Sequence, residues 1–200
     1  ESASGLKLND KVLIIDALNL FMRVFSAVPA MNEDGVHIGG VIGFIKSVGA
    51  LVRQFRPTRC ILVFDGKGGS TRRKKLYPEY KANRQFKINV NRVDHMKQSD
   101  DAEMESMRLQ FQRLSMYLKV LPLTLLSINN VEADDVISYI ATELYPESKI
   151  TIVSSDKDFL QLVDDRIHIW SPTKKILFDK NKMISLYEIQ AHNYLLSRMF

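Results

Sequence analysis

The sequence predicts an α/β fold, a mostly parallel sheet with helices on both faces. Three observations point to it. Short apolar runs rich in β-branched residues recur without strict polar alternation, which is how a strand covered on both faces reads. Segments with apolar residues at helical spacing separate these runs. Several of the runs end on aspartate, a residue suited to hand a strand over to a turn or a helix.

Residues 1–10 (ESASGLKLND) hold no apolar run and are expected to be a flexible leader, with 11–200 as one domain of ordinary size. KVLIID (11–16) predicts the first strand, and NLFMRVFSAV follows as a helix stopping near Pro29. Residues 30–40 contain Asn32, Gly35, Gly39 and Gly40 and read as a loop. VIGFIKSVGALVRQF (41–55) is a helix that stops before Pro57. RCILVFD (59–65) is a second buried strand, and GKGGS (66–70) a flexible exit. Residues 71–98 have weak apolar periodicity and read as projecting helices and loops. An amphipathic helix over 101–121 opens with acids, which suits the helix dipole. LTLLSI (123–128) is a third strand, 129–145 a capped helix, and KITIVSSD (149–156) a fourth strand. KDFLQLV is a short helix, RIHIWSP and KILFD are a hairpin or two edge strands, and 185–200 is a closing helix.

With 46% apolar residues, 200 residues can bury a substantial core. The net charge of +5 is unevenly spread: between Lys67 and Arg92 nine basic residues face one acid, Glu79. Such a block is either a solvated surface or an electrostatic footprint for a polyanion. The lone Cys60 sits in an apolar run as a small core residue and allows no disulfide framework, which fits a reducing cytoplasm. The four histidines lack zinc-ligand spacing, and no nucleophile triad can be argued. GKGGST lacks the order and spacing of a phosphate-binding P-loop. No apolar run is long enough to span a bilayer, so no membrane partner is expected.

The acids are the informative residues. Asp16 and Asp65 each close a hydrophobic run, and Asp156 ends IVSSD. Open α/β sheets bind ligands beyond the carboxyl ends of their strands. An aspartate there also caps the following helix, so one alone says little. VEADD adds Glu132, Asp134 and Asp135, with Glu132 and Asp135 three apart on one helix face. SSDKDF adds Asp158, which an extended loop would point the same way as Asp156. Seven crowded acids repel one another, and divalent cations reconcile them. An all-oxygen donor set selects Mg²⁺ or Mn²⁺. Beside a basic, phosphate-recruiting segment, this constellation points to metal-assisted phosphoryl chemistry.

IIDALNLFMR, VFDGKGGSTRRKKLYPEYKANR, VEADD and IVSSDKDF stand here in the order and spacing of the 5′ nucleases. Over roughly 11–180 the chain resembles the flap endonucleases and 5′–3′ exonucleases, including the phage RNase H type and the N-terminal domain of bacterial DNA polymerase I. The resemblance implies a PIN-like sheet with a basic helical arch, here about 66–98, and two metal ions per site. By matching position, Asp16, Asp65, Glu132, Asp134 and Asp135 resemble the first carboxylate cluster, and Asp156 and Asp158 half of the second. Lys81 and Arg84 resemble the arch cations at the scissile phosphate. Tyr80 is similar to an aromatic that stacks on the terminal base, and Arg23 to a phosphate contact. Arg72, Arg73, Lys74, Lys75, Tyr77 and Lys87 complete the expected nucleic-acid surface. The family pattern continues with a GDxSDN segment and a helix-hairpin-helix, neither of which occurs in these 200 residues.

The resemblance implies hydrolysis of DNA or RNA–DNA at single-strand/duplex junctions. The implied partners are 5′ flaps, branched or nicked duplexes, RNA–DNA hybrids and a replication protein. The implied role is primer or flap removal by a cytoplasmic monomer, bacterial or phage-encoded. Two other readings share part of this pattern: a PIN-like single-strand endoribonuclease, and a non-catalytic module that binds branched DNA.

Overall fold

A computed structural model describes residues 7–71, 75, 99–188 and 191–194. Strand β1 (Lys11–Asp16) leads directly into helix α1 (Ala17–Ala27). Helix α2 (Gly39–Phe55) is followed by β2 (Arg59–Phe64). Helix α3 (Asp100–Leu118) precedes β3 (Thr124–Ser127), and α4 (Ala133–Tyr139) runs on into a wider turn, Ile140–Leu144. Then come β4 (Lys149–Val153), a 3₁₀ turn (Lys157–Leu162), the pair β5 (Ile167–Ser171) and β6 (Ile176–Phe178), and α5 (Lys180–Tyr187).

The six strands lie in the order β3-β2-β1-β4-β5-β6. All neighbours are parallel except the antiparallel hairpin β5–β6. The apolar runs lack alternation because both faces are covered. On one face Val12, Ile14, Ile61, Ile150 and Ile152 pack against Val136, Ile137 and Ile140. On the other, Leu13, Ile15 and Leu62 pack against Phe21 and Phe25 of α1, Phe44 of α2 and Leu114 of α3. This is the expected α/β architecture, with helices on both sides of a mostly parallel sheet.

Several boundaries differ from expectation. Gly39 and Gly40 belong to α2 rather than to the preceding loop. A Cβ on Gly39 would collide with the Val28 carbonyl, and one on Gly40 with Gln110 Oε1 and the Phe21 ring, both at 2.9 Å. The glycines are therefore packing residues that let α2 lie close to its neighbours. Gln110 of α3 accepts hydrogen bonds from the Gly40 and Val41 amides at 2.8 and 3.3 Å, closing the N-terminus of α2 from a distant helix. The helix expected over 129–145 begins at Ala133, because 128–131 is clasped to the chain leaving β2. The Gly66 amide donates to the Val131 carbonyl and the Asn130 amide to the Lys67 carbonyl. Of the closing helix expected over 185–200, residues 185–187 end α5, which Asp179 caps and Glu188 closes at φ 57°, and Ala191–Asn193 forms a 3₁₀ turn; 189–190 and 195–200 lie outside the described residues. Among the described residues no helix is long and apolar enough to cross a membrane.

Candidate active site

Strand order brings the acids to one edge. In an open parallel sheet the natural ligand crevice lies where connections diverge to opposite sides, here between β1 and β4. In register, Ile15 pairs with Val153, so Asp16 stands beside Ser154. On its other side β1 pairs with β2, and Phe64 pairs with Ser127, so Asp65 leaves the sheet beside the approach to Glu132.

Each of the three aspartates also caps the element that follows it in space, although Asp156 does so from beyond the strand, since β4 ends at Val153 rather than at 156 as expected. Asp16 Oδ1 accepts from the Asn19 amide at 3.1 Å, capping α1. Asp65 Oδ1 accepts from the Ala133 amide at 2.8 Å, which caps α4 from another strand. Asp156 Oδ1 accepts from the Asp158 amide at 2.9 Å and caps the 3₁₀ turn. The capping role and a ligating role are compatible, since a carboxylate has about four acceptor sites. Three N-terminal turns therefore point toward this edge, where their partial positive charge favours anionic groups.

Asp16 is the buried member, 7% exposed. Burial, opposed by the Asn19 and Ser154 hydrogen bonds, raises its carboxyl to about 6, and the charges of Asp134 and Asp65 push the same way. Those two acids are thus within electrostatic reach of Asp16. Glu132, 3% exposed, immediately precedes α4; Asp134 is half-buried and Asp135 exposed in its first turn. Asp156 is half-buried and Asp158 exposed. Two details depart from expectation. Glu132 lies just before the helix, so it does not share a helical face with Asp135, and the segment after Asp156 is a tight turn rather than an extended loop.

A hard divalent cation fits the donor chemistry of this edge: it is all oxygen, and a buried carboxylate with a raised pKa beside two other acids calls for positive charge. No three described acidic, histidine or cysteine side chains converge enough to ligate one ion unaided.

Of the expected nucleic-acid residues, Arg23 is half-buried on α1, seven residues and so two turns past Asp16, about 10 Å along the same face. Desolvation lowers its pKa, and no described residue forms an ion pair with it. Lys75 is exposed. Arg72, Arg73, Lys74, Tyr77, Tyr80, Lys81, Arg84 and Lys87 lie outside the described residues, as does most of the expected arch. Sequence reasoning passed over Asn19 and Ser154, which join the Asp16 carboxylate to the end of β4. Both lie inside the quoted motifs, but a serine or asparagine carries no charge pattern that would mark it.

Comparison with known proteins follows the same lines. Residues 11–188 match the model of the 5′–3′ exonuclease N-terminal, resolvase-like domain. A 5′–3′ exonuclease of Aquifex aeolicus is 28% identical over 179 residues, covering 88% of this chain and 56% of that protein. A 5′–3′ exonuclease of Bacillus subtilis is 31% identical over 166 residues, covering 80% of this chain and 50% of that protein. The chain therefore spans about half the length of these curated relatives. Among solved structures, the bacteriophage T5 flap endonuclease in a complex with DNA and metal ions superposes with a TM-score of 0.69 at 21% identity, covering 92% of this chain and 64% of that one. At that identity the likeness establishes the fold.

Proposed function

This chain belongs to the 5′–3′ exonuclease family through its N-terminal resolvase-like domain, and on that premise we propose that it is a structure-selective, Mg²⁺-dependent 5′ nuclease. It hydrolyses phosphodiesters of DNA or RNA–DNA near a single-strand/duplex junction. What supports this reading is that Asp65 and Asp134 lie within electrostatic reach of the buried Asp16 at the carboxyl edge of the sheet, with the Asp156 backbone amide joined to Asp16 through Ser154.

In this reading Asp16, Asp65, Glu132, Asp134 and Asp135 would hold one ion, in part through its waters, and Asp156 and Asp158 would contribute to a second. The bound ions supply Lewis-acid activation of water and neutralise charge at the phosphate. The chain's own residues do the rest. The buried Asp16 is held at both oxygens by Asn19 and Ser154, so its geometry is set before substrate arrives. Arg23 contacts a phosphate further along the strand, where its partly desolvated guanidinium gains from a fixed anion. Lys81 and Arg84 stabilise charge on the phosphoryl oxygens. Tyr77 and Tyr80 stack on unpaired bases, while Arg72, Arg73, Lys74, Lys75 and Lys87 hold the backbone. The arch spans about 66–98 within a catalytic domain of 11–200, and removal of primers or flaps in replication is the role this chemistry serves.

The test is cleavage of a 5′-flap duplex with and without Mg²⁺, by this chain and by a longer form that includes a duplex-gripping region. Mg²⁺-dependent products carrying 5′-phosphates are expected. Tight binding of branched DNA with no Mg²⁺-dependent cutting by either form would make the chain a binding module. Preference for single-stranded RNA would make it an endoribonuclease.

A further inference from the structure

Ser154 is 2% exposed where β4 runs out at the sheet edge. Its partners determine the direction of its hydroxyl. The Asp156 amide can only donate, and it does so to Ser154 Oγ at 3.1 Å. Oγ is the acceptor there, so its own proton goes to Asp16 Oδ2, also at 3.1 Å. One small side chain thereby ties a carboxylate of the first acidic group to the backbone of the residue that opens the second. Asn19 makes a parallel tie. Its amide donates to Asp16 Oδ1, and its side-chain carbonyl accepts from the Ser155 amide at 3.2 Å. The two ties close a ring across the boundary between β1 and β4. A wholly buried hydroxyl is unfavourable unless its bonds are made, and alanine would fill the packing role.

We propose that Ser154 is a positioning residue for the nuclease reaction. It holds Asp16 and Asp156 in one relation so that both carboxylate groups act on the same phosphate, with Asn19 supporting that relation from α1. The inference rests on the nuclease reading.

The experiment uses Ser154→Ala, Ser154→Thr and Asn19→Ala in the intact protein. It measures Mg²⁺ binding calorimetrically without DNA, kcat and KM on a 5′-flap duplex, and thermal melting. Loss of a group that orients a ligand typically lowers metal affinity or activity by about 10–100-fold. For Ser154→Ala we expect kcat to fall by about that factor and Mg²⁺ binding to weaken in the same direction, with KM for DNA nearly unchanged. Ser154→Thr keeps the hydroxyl and should recover most of the loss. Asn19→Ala should show a smaller loss, because its backbone amide still bonds Asp16. Parental kcat and Mg²⁺ binding in Ser154→Ala, or a deficit confined to melting temperature, overturns the role. So does an equal loss in the alanine and threonine variants, which would implicate side-chain volume. A parent that neither binds Mg²⁺ nor cuts the flap overturns the nuclease reading, and the positioning role with it.

Discussion

Replacing Asp16 with asparagine should stabilise the chain at neutral pH while abolishing cleavage. The carboxyl of Asp16 rises from its ordinary 3.8 to about 6, chiefly because it is buried. A folded-state pKa above the unfolded one means that the folded chain binds more protons within that window. The stability associated with this site is fully present below about pH 4 and is lost as pH rises through about 6. At pH 7 the cost of keeping the charge is about 3 kcal/mol, from 1.36 kcal/mol per tenfold change in proton affinity. Asparagine avoids it with little rearrangement. Its carbonyl can still accept from the Asn19 amide and its amide can donate to Ser154 Oγ, but the buried Ser154 proton then loses its acceptor, which costs about 1 kcal/mol or more and leaves a net gain of up to about 2 kcal/mol. For a chain of this size each kcal/mol moves Tm by about 2–4 °C, so Asp16→Asn should melt up to roughly 4–8 °C above the parent at pH 7. The assay is thermal melting of both proteins between pH 4 and 7.5 in a chelator. The gap in Tm should open as pH rises through 4–6. Added Mg²⁺ should raise the parent's Tm more than the variant's, since the ion stabilises the state that binds it. A variant less stable than the parent at pH 7, or a gap that does not change with pH, refutes the reasoning.

Three further outcomes are expected. Lys81→Ala should lower flap cleavage by roughly 10²–10³-fold, the scale for one positioned electrostatic group, with DNA affinity nearly unchanged because many other cations remain; parental rates would remove Lys81 from the chemistry. Asp135→Asn should weaken Mg²⁺ binding, with higher Mg²⁺ partly restoring the cleavage rate, and a Mg²⁺ titration matching the parent's would exclude it as a ligand. Gly66→Ala should destabilise the chain by about 2 kcal/mol or more, because its Cβ would collide with the Ile128 carbonyl where two loops are clasped; denaturant unfolding measures this, and an unchanged midpoint would show that the loops part easily.

The buried strands were legible because their composition has few other uses. KVLIID and RCILVFD form β1 and β2 within one residue of expectation, and the hairpin of RIHIWS with ILF is present as one of the two arrangements foreseen. Boundaries failed where a distant group decided them. Gly39 and Gly40 have poor helix propensity, yet α2 includes them because Val28, Phe21 and Gln110 press on that turn. Asp179 read as the end of a strand, but its side chain accepts from the Lys182 amide and starts α5. Within the site, charged residues stood out by type, whereas Asn19 and Ser154 did not, since their importance lies in what they touch.

The sequence by itself determined the α/β class, the identity of the acids and their places at the ends of apolar runs. Each of these follows from side-chain chemistry and local periodicity. The tertiary structure alone decided that β1 lies between β2 and β4, bringing Ser154 to Asp16 across 138 residues. It also decided that Asp16, rather than Asp65 or Asp156, is the carboxylate held at both oxygens and deprived of water. The physical reason is that strand neighbours are chosen by ladder hydrogen bonds and by burial on both faces, which all the apolar strands offer alike. The energy of a carboxylate depends on how much water its neighbours exclude, and those neighbours are assembled only when the sheet closes.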